Sequence, residues 1–280
     1  MKVAVMTDST AYISDSLKDK HNIHVVPLSV MFENTTYRES IDITTNEFYQ
    51  KVKESESLPK TSQPSIGAVA DKFEELAKDY DAVIAIHLSS GISGTYQTVV
   101  SGGEMAKGIE VYPFDSELSA MAQGFYVLEA AEMAEAGKAP EEIMHRLEEI
   151  KQSIRAYFMV DDLSHLQRGG RLNGAQAIVG SLLQVKPVLH FFDKKIVPFE
   201  KIRTRKKALN RIIGMLEDDA KQGKNLKVAF IHANDEQGAI DLKNSMDSMY
   251  PNIDSTISYF GPVIGTHLGE GAIGVSWYKK

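Results

Sequence analysis

The chain contains no cysteine, which excludes disulfides, thiol nucleophiles and thiolate metal sites. It has no excess of positive charge. Its 31 Lys and Arg stand against 38 Asp and Glu, a formal net charge of −7, so non-specific attraction to nucleic acid or to an anionic membrane is not favoured. No apolar run approaches the roughly 18 residues of a membrane-spanning helix. Met1-Lys2 lead straight into the strand-like VAVMTD, with no apolar secretion-signal core. A cytoplasmic protein is expected, without a nucleic acid partner and without membrane insertion. The Walker lysine, zinc-ligand spacings and recognisable paired metal carboxylates are missing too, so no metal and no cofactor are expected. There is no useful internal repeat and no low-complexity segment.

What remains is 280 residues, 43% hydrophobic and 25% charged, enough for one large or two ordinary globular domains. The clearest local signal is DAVIAIHL followed by SSGISGTYQ, residues 81–97. Val83, Ile84, Ala85, Ile86 and Leu88 predict a buried strand. Ser89, Ser90, Gly91, Ser93, Gly94 and Thr95 then place small and hydroxyl-bearing residues between a strand's carboxyl end and a helix start. Such a turn caps its helix and equally suits an anion. Gly91-Ile92-Ser93-Gly94-Thr95 lacks the final glycine of a nucleophile elbow.

Along the chain, Val3–Met6 predicts a strand ending in TDST, with Ser14 capping the following helix and Asp8 too early to do so. His24–Phe32 reads as a second strand, and Thr44-Thr45-Asn46-Glu47 has capping-box spacing. Thr61-Ser62-Gln63-Pro64-Ser65 follows a polar linker and precedes a helix whose Val69, Phe73, Leu76 and Ala77 share a face. Gly108–Phe114 predicts a strand ending in Asp115-Ser116, followed by helices over about 119–136 and 140–154. This strand–helix alternation predicts an α/β domain over residues 1–154, three-layered with a mostly parallel sheet. After residue 154 the pattern changes to mixed α/β. It runs through a strand at Tyr157–Val160, the Gly-rich basic turn HLQRGGRLNG, a short helix at Ala175–Leu183, and a hairpin about Asp193-Lys194-Lys195. The basic-headed helix Arg203–Asp219 follows. Residues 155–280 are expected to form a second domain with a mixed sheet. Gly265–Gly271 reads as a third small-residue loop, with His267 between glycines.

In this order, TDST, TSQPS, SSGISGTYQ, DS after a strand, HLQRGGR and GTHLGEGAIG span the whole chain and resemble the DegV family of bacterial lipid-binding proteins. The resemblance implies two α/β domains with a fatty acid between them. It also implies a non-catalytic carrier that presents a long-chain fatty acid to a separate ATP-dependent fatty acid kinase, giving acyl-phosphate for phospholipid synthesis. Carried over by position, Thr61 and Ser93 hydrogen-bond the carboxylate, the Ser62 and Gly94 backbones assist, and His267 completes the head-group site. Arg171 stabilises a transferring phosphoryl group or touches the kinase.

Two positions depart from the family pattern. Ala120-Met121-Ala122-Gln123-Gly124 loses a hydroxyl, and Glu270 replaces a common proline and is expected at the solvent rim. Phe158, Ile178, Leu182, Leu189 and Phe191 are candidates for the tail pocket. Arg203, Arg205, Lys206, Lys207 and Arg211 form a basic set at a helix start, where the dipole disfavours them; Arg203 and Arg205 are expected to contact the acidic kinase partner. The alternatives are a small-molecule phosphotransferase or hydrolase using the Ser93 loop, with Asp8 and Asp115 on Mg²⁺, and a regulatory module that senses a small anion.

Overall fold

A computed structural model describes residues 1–55, 57–172 and 185–280. The expected helix Ala175–Leu183, with Ile178 and Leu182, lies outside the described residues. The chain forms β1 (Val3–Asp8), β2 (His24–Val26), β3 (Ser29–Phe32), β4 (Thr35–Arg38), β5 (Lys60–Ser62), β6 (Ala82–His87) and β7 (Glu110–Asp115) before residue 155. After it come β8 (Arg155–Met159), β9 (Val188–Phe192), β10 (Lys195–Glu200), β11 (Leu226–His232), β12 (Ile253–Tyr259) and β13 (Ile273–Lys279).

The first sheet has the order β2-β1-β6-β7, all parallel. Its central strands alternate strictly. Ala4, Met6, Val83 and Ala85 pack with Val69 and Phe73 of the helix Ile66–Leu76 and Val99 of the helix Thr95–Met105. Val5, Ile84 and Ile86 face the opposite core with the helices Ala120–Glu135 and Pro140–Ser153. Burial on both faces explains why these strands read as continuous apolar runs.

The second large sheet has the order β10-β9-β8-β13-β11-β12, with β11 and β12 parallel and the other pairs antiparallel. Met159, Val188, Val228, Phe230, Val275 and Trp277 face the helix Arg205–Ala220 and Met246, whereas Phe158, Leu189, Ala229 and Ile231 join the core shared with the first sheet. The helix Ala120–Glu135 lies between the two sheets and touches strands of both. It is buried nearly all round through its first three turns, as a helix with no solvent face requires.

Two segments differ from the sequence reading. His24–Phe32 is two strands in two sheets. Pro27 offers no N–H to a ladder, and the chain leaves the parallel sheet there to enter a small antiparallel sheet of order β4-β3-β5. The short strands β4 (TTYR) and β5 (KTS) have too little apolar alternation to announce themselves. Gly265–Gly271 is not one loop. Pro262–Leu268 is helical, with Pro262 in its first turn and Gly269 at φ +76° ending it. His267 therefore sits in a last helical turn. Among the described residues no helix is long and apolar enough to cross a membrane.

Candidate functional site

The loop after β6 enters the helix Thr95–Met105 as the spacing of its small residues implies. Ser93 Oγ accepts the Thr95 N–H at 3.2 Å and lies 2.9 Å from Thr95 Oγ1. β5 brings TSQPS alongside: Gln63 Nε2 donates to Thr98 Oγ1 at 2.7 Å, one turn into the same helix. Gly94 makes this approach possible, because a Cβ there would overlap the Gln63 side-chain oxygen.

The opposite wall comes from residues more than 70 positions later in the chain. His267 Nε2 lies 2.9 Å from Thr61 Oγ1. Arg171 Nε donates to the Ile92 carbonyl at 3.1 Å, and its Nη1 donates to the Gly169 carbonyl. Between these walls is a cavity of about 290 Å³, lined by Thr61, Ser62, Ser93, Gly94, Arg171 and His267 together with Gln63 and Ser119. The remaining lining is mostly apolar and includes Leu28, Leu88, Ala122, Phe158, Phe191, Phe260 and Ile264. Of the expected tail residues, Phe158 and Phe191 line it. Leu189 does not; it is wholly buried in the core.

The electrostatics suit an anion. Burial, with Arg171 and His165 nearby, pushes the His267 imidazole down to about 3, so it is neutral at pH 7. Its Nδ1 has no hydrogen-bond partner among the described residues and faces Gly169, where a Cβ would overlap it. The ring proton is therefore best placed on Nε2, donating to Thr61 Oγ1. That assignment leaves the Thr61 hydroxyl proton free for an acceptor in the cavity. Arg171 is half-buried, its pKa lowered by desolvation, and it has no carboxylate partner among the described residues. An uncompensated guanidinium in a largely apolar cavity favours a carboxylate or phosphate there.

Other sequence candidates are occupied elsewhere. Asp8 is buried away from the cavity lining and accepts from Thr10 N–H and Oγ1, Leu88 N–H and Gln123 Nε2, with His87 Nδ1 at 3.1 Å. It caps the short turn Ser9–Ala11, while Ser14 caps the helix Asp15–Lys20. Asp115 binds Ser90 and pairs with Lys194 at 3.0 Å, while Ser89 Oγ donates to the Lys194 carbonyl at 2.6 Å. The hairpin tip thus latches the Ser93 loop, and these two carboxylates are structural ligands of protein groups. Among the described residues, no three His, Asp or Glu side chains are grouped to hold a metal ion.

Arg203 is exposed, and Arg205 is not a free surface cation. Its guanidinium binds Asp161 at 3.0 Å, Asp235 at 2.5 Å and the Gly271 carbonyl. Those acids offset the unfavourable helix-start position. Glu270 is exposed and pairs with Lys53 at 2.9 Å and Asn234 at 2.6 Å. Sequence reasoning did not single out Leu28, Ser119 or Phe260 as lining residues. Nothing in their local pattern separates a cavity wall from ordinary core.

A family model described as "uncharacterised protein, DegV family" matches residues 2–280. The DegV protein of Bacillus subtilis (strain 168) is 56% identical over 281 residues, covering 100% of both chains. The crystal structure of DegV from Bacillus subtilis, described as a fatty acid binding protein, superposes with a TM-score of 0.96 at 56% identity over 100% of both chains. A DegV family protein from Thermus thermophilus, described by its fatty acid binding, superposes with a TM-score of 0.93 at 31% identity, again over 100% of both chains.

Proposed function

The chain belongs to the DegV family, and from that premise we propose that it binds a long-chain fatty acid in the 290 Å³ cavity. The observation that carries this reading is the pairing of an apolar cavity with one polar wall, where Thr61, Ser93, the Gly94 backbone, His267 and Arg171 converge. A fatty acid has the same division. Its carboxylate meets the Thr61 and Ser93 hydroxyls, with the Ser62 and Gly94 backbones beside them and Arg171 supplying a counter-charge. Its chain lies against Phe158, Phe191, Phe260 and their neighbours. Each buried methylene adds roughly 0.8 kcal/mol.

The chain acts as a carrier without chemistry of its own. It presents the carboxylate to a fatty acid kinase subunit, which forms acyl-phosphate for phospholipid synthesis. A kinase that consumes ATP places the pair in the cytoplasm. Residues 1–154 and 155–280 are the two domains that close on the lipid. Arg171 and the exposed Arg203 are the cations offered to the phosphoryl group or the kinase. A phosphotransferase or hydrolase using Ser93 is disfavoured because the Ser93 hydroxyl pairs with Thr95 and, among the described residues, with no base.

The test is mass spectrometry of an organic extract of the purified protein, with Ser93→Ala and Thr61→Ala alongside. One fatty acid per chain in the wild type, reduced in both variants, is expected. An empty extract together with no uptake of added fatty acid would refute the carrier. Magnesium-dependent turnover by the protein alone would replace it with the phosphotransferase.

A further inference from the structure

Glu39 is a wholly buried acidic side chain that the proposed lipid site does not use. It follows β4 in a polar stretch, YRESID. Glutamate is seldom buried without donors, and here three donors come from two segments far apart in the chain. Ser9 Oγ donates to Oε2 at 2.5 Å. Tyr12 OH and the Val263 N–H both donate to Oε1 at 2.8 Å. Tyr12 OH in turn accepts the Ile264 N–H at 3.1 Å, and Ser9 Oγ accepts the Leu28 N–H at 3.1 Å.

Val263 and Ile264 open the helix Pro262–Leu268, so their N–H groups have no partner within it. That helix has seven residues, too few to be stable without tertiary support. It nevertheless carries Val263, Ile264, His267 and Leu268 to the cavity wall. Tyr12 can reach its start only because residue 261 is glycine: a Cβ there would overlap the Tyr12 ring. At the far side of the same network, Leu28 also lines the cavity.

We propose that Glu39 is a positioning residue that holds the His267-bearing helix over the cavity, and that this clamp sets how slowly a bound ligand leaves. Glu39 touches no ligand. It acts by satisfying the first two amides of the helix, one directly and one through Tyr12. Without it the Val263 amide is buried and unpaired and Tyr12 loses the acceptor that aims its hydroxyl at Ile264, so the helix loosens and His267 loses its register on Thr61. The retention part of this inference rests on the fatty acid reading above; the clamp itself does not.

The experiment compares Glu39→Ala and Glu39→Gln with wild type by amide hydrogen exchange and by release of a fluorescent polyene fatty acid. In Glu39→Ala, exchange at Val263 and Ile264 is expected to accelerate while β6 and β11 keep their protection, and release is expected to be about tenfold faster. Glu39→Gln keeps an acceptor oxygen for Val263 and should restore most of both values. The proposal is overturned if exchange at residues 263–264 is unchanged, if it rises equally in β6 and β11, or if Gln behaves as Ala does. Should Glu39→Ala not fold, Tyr12→Phe removes the acceptor of the Ile264 N–H and one donor to Glu39 while leaving the Val263 N–H on the carboxylate, and it must raise exchange at Ile264, or the clamp is refuted. A wild-type protein that takes up no probe would refute the fatty acid reading, while the exchange data would still judge the clamp.

Discussion

Replacing His267 by glutamine should flatten one component of the protein's acid sensitivity, by an amount the structure fixes. In the lipid-free protein the imidazole is held down at about 3 by burial beside Arg171 and His165, against about 6.5 in an unfolded chain. Between those values the unfolded state binds the extra proton. Stability from this residue is therefore fully present above pH 6.5 and is lost as the pH falls toward 3. Between pH 7 and pH 5 the loss works out at about 2 kcal/mol. Glutamine carries no titrating group, and its amide can still reach Thr61.

Glu39 titrates in the opposite sense. Desolvation lifts its carboxyl to about 7 from 4.5, so its contribution is full below pH 4.5 and is lost as the pH rises to about 7. It is present in both proteins and cancels in their difference. Urea unfolding of delipidated wild type and His267→Gln at pH 5 and pH 7, followed by the single, buried Trp277, measures that difference directly. The gap between the two proteins should shift by about 2 kcal/mol in favour of glutamine at the lower pH. Parallel pH profiles would refute the neutral, buried imidazole.

Gly94→Ala should weaken fatty acid binding by about tenfold or more, since its Cβ must displace Gln63 from the polar wall; titration with a fluorescent fatty acid checks this, and unchanged affinity would show that Gln63 yields at no cost. Arg203→Glu and Arg205→Glu should separate two roles that sequence alone merges. The first should slow acyl-phosphate formation with purified kinase at unchanged lipid affinity. The second should lower thermal stability, because it leaves Asp161 and Asp235 beside a new like charge. Equal kinase rates for wild type and Arg203→Glu would remove Arg203 from the docking surface.

The contrast between Arg203 and Arg205 shows where sequence stops being informative. Both are basic residues at one helix start, and only the strands and loops carrying Asp161 and Asp235 decide which is engaged. By the same logic β6 and the Ser93 turn were legible, because a buried strand, a small-residue turn and a helix start are each written in adjacent residues. β4 and β5 were not, since their stability comes from pairing with β3 and not from their own composition. His267 was legible as a residue but not as a helical one: the flanking glycines suggested a loop, whereas Gly265 is glycine because a Cβ would press on Tyr49 and Phe48. Glu39 left no trace at all. A lone glutamate in YRESID reads as solvated, and its burial depends on an amide 224 positions away. The residues of the cavity's polar lining could be picked out because small, hydroxyl-bearing turns are written in adjacent residues. The residues that hold those elements against each other could not, because that work is done between distant segments, and a binding site assembled from both ends of a chain depends on both kinds.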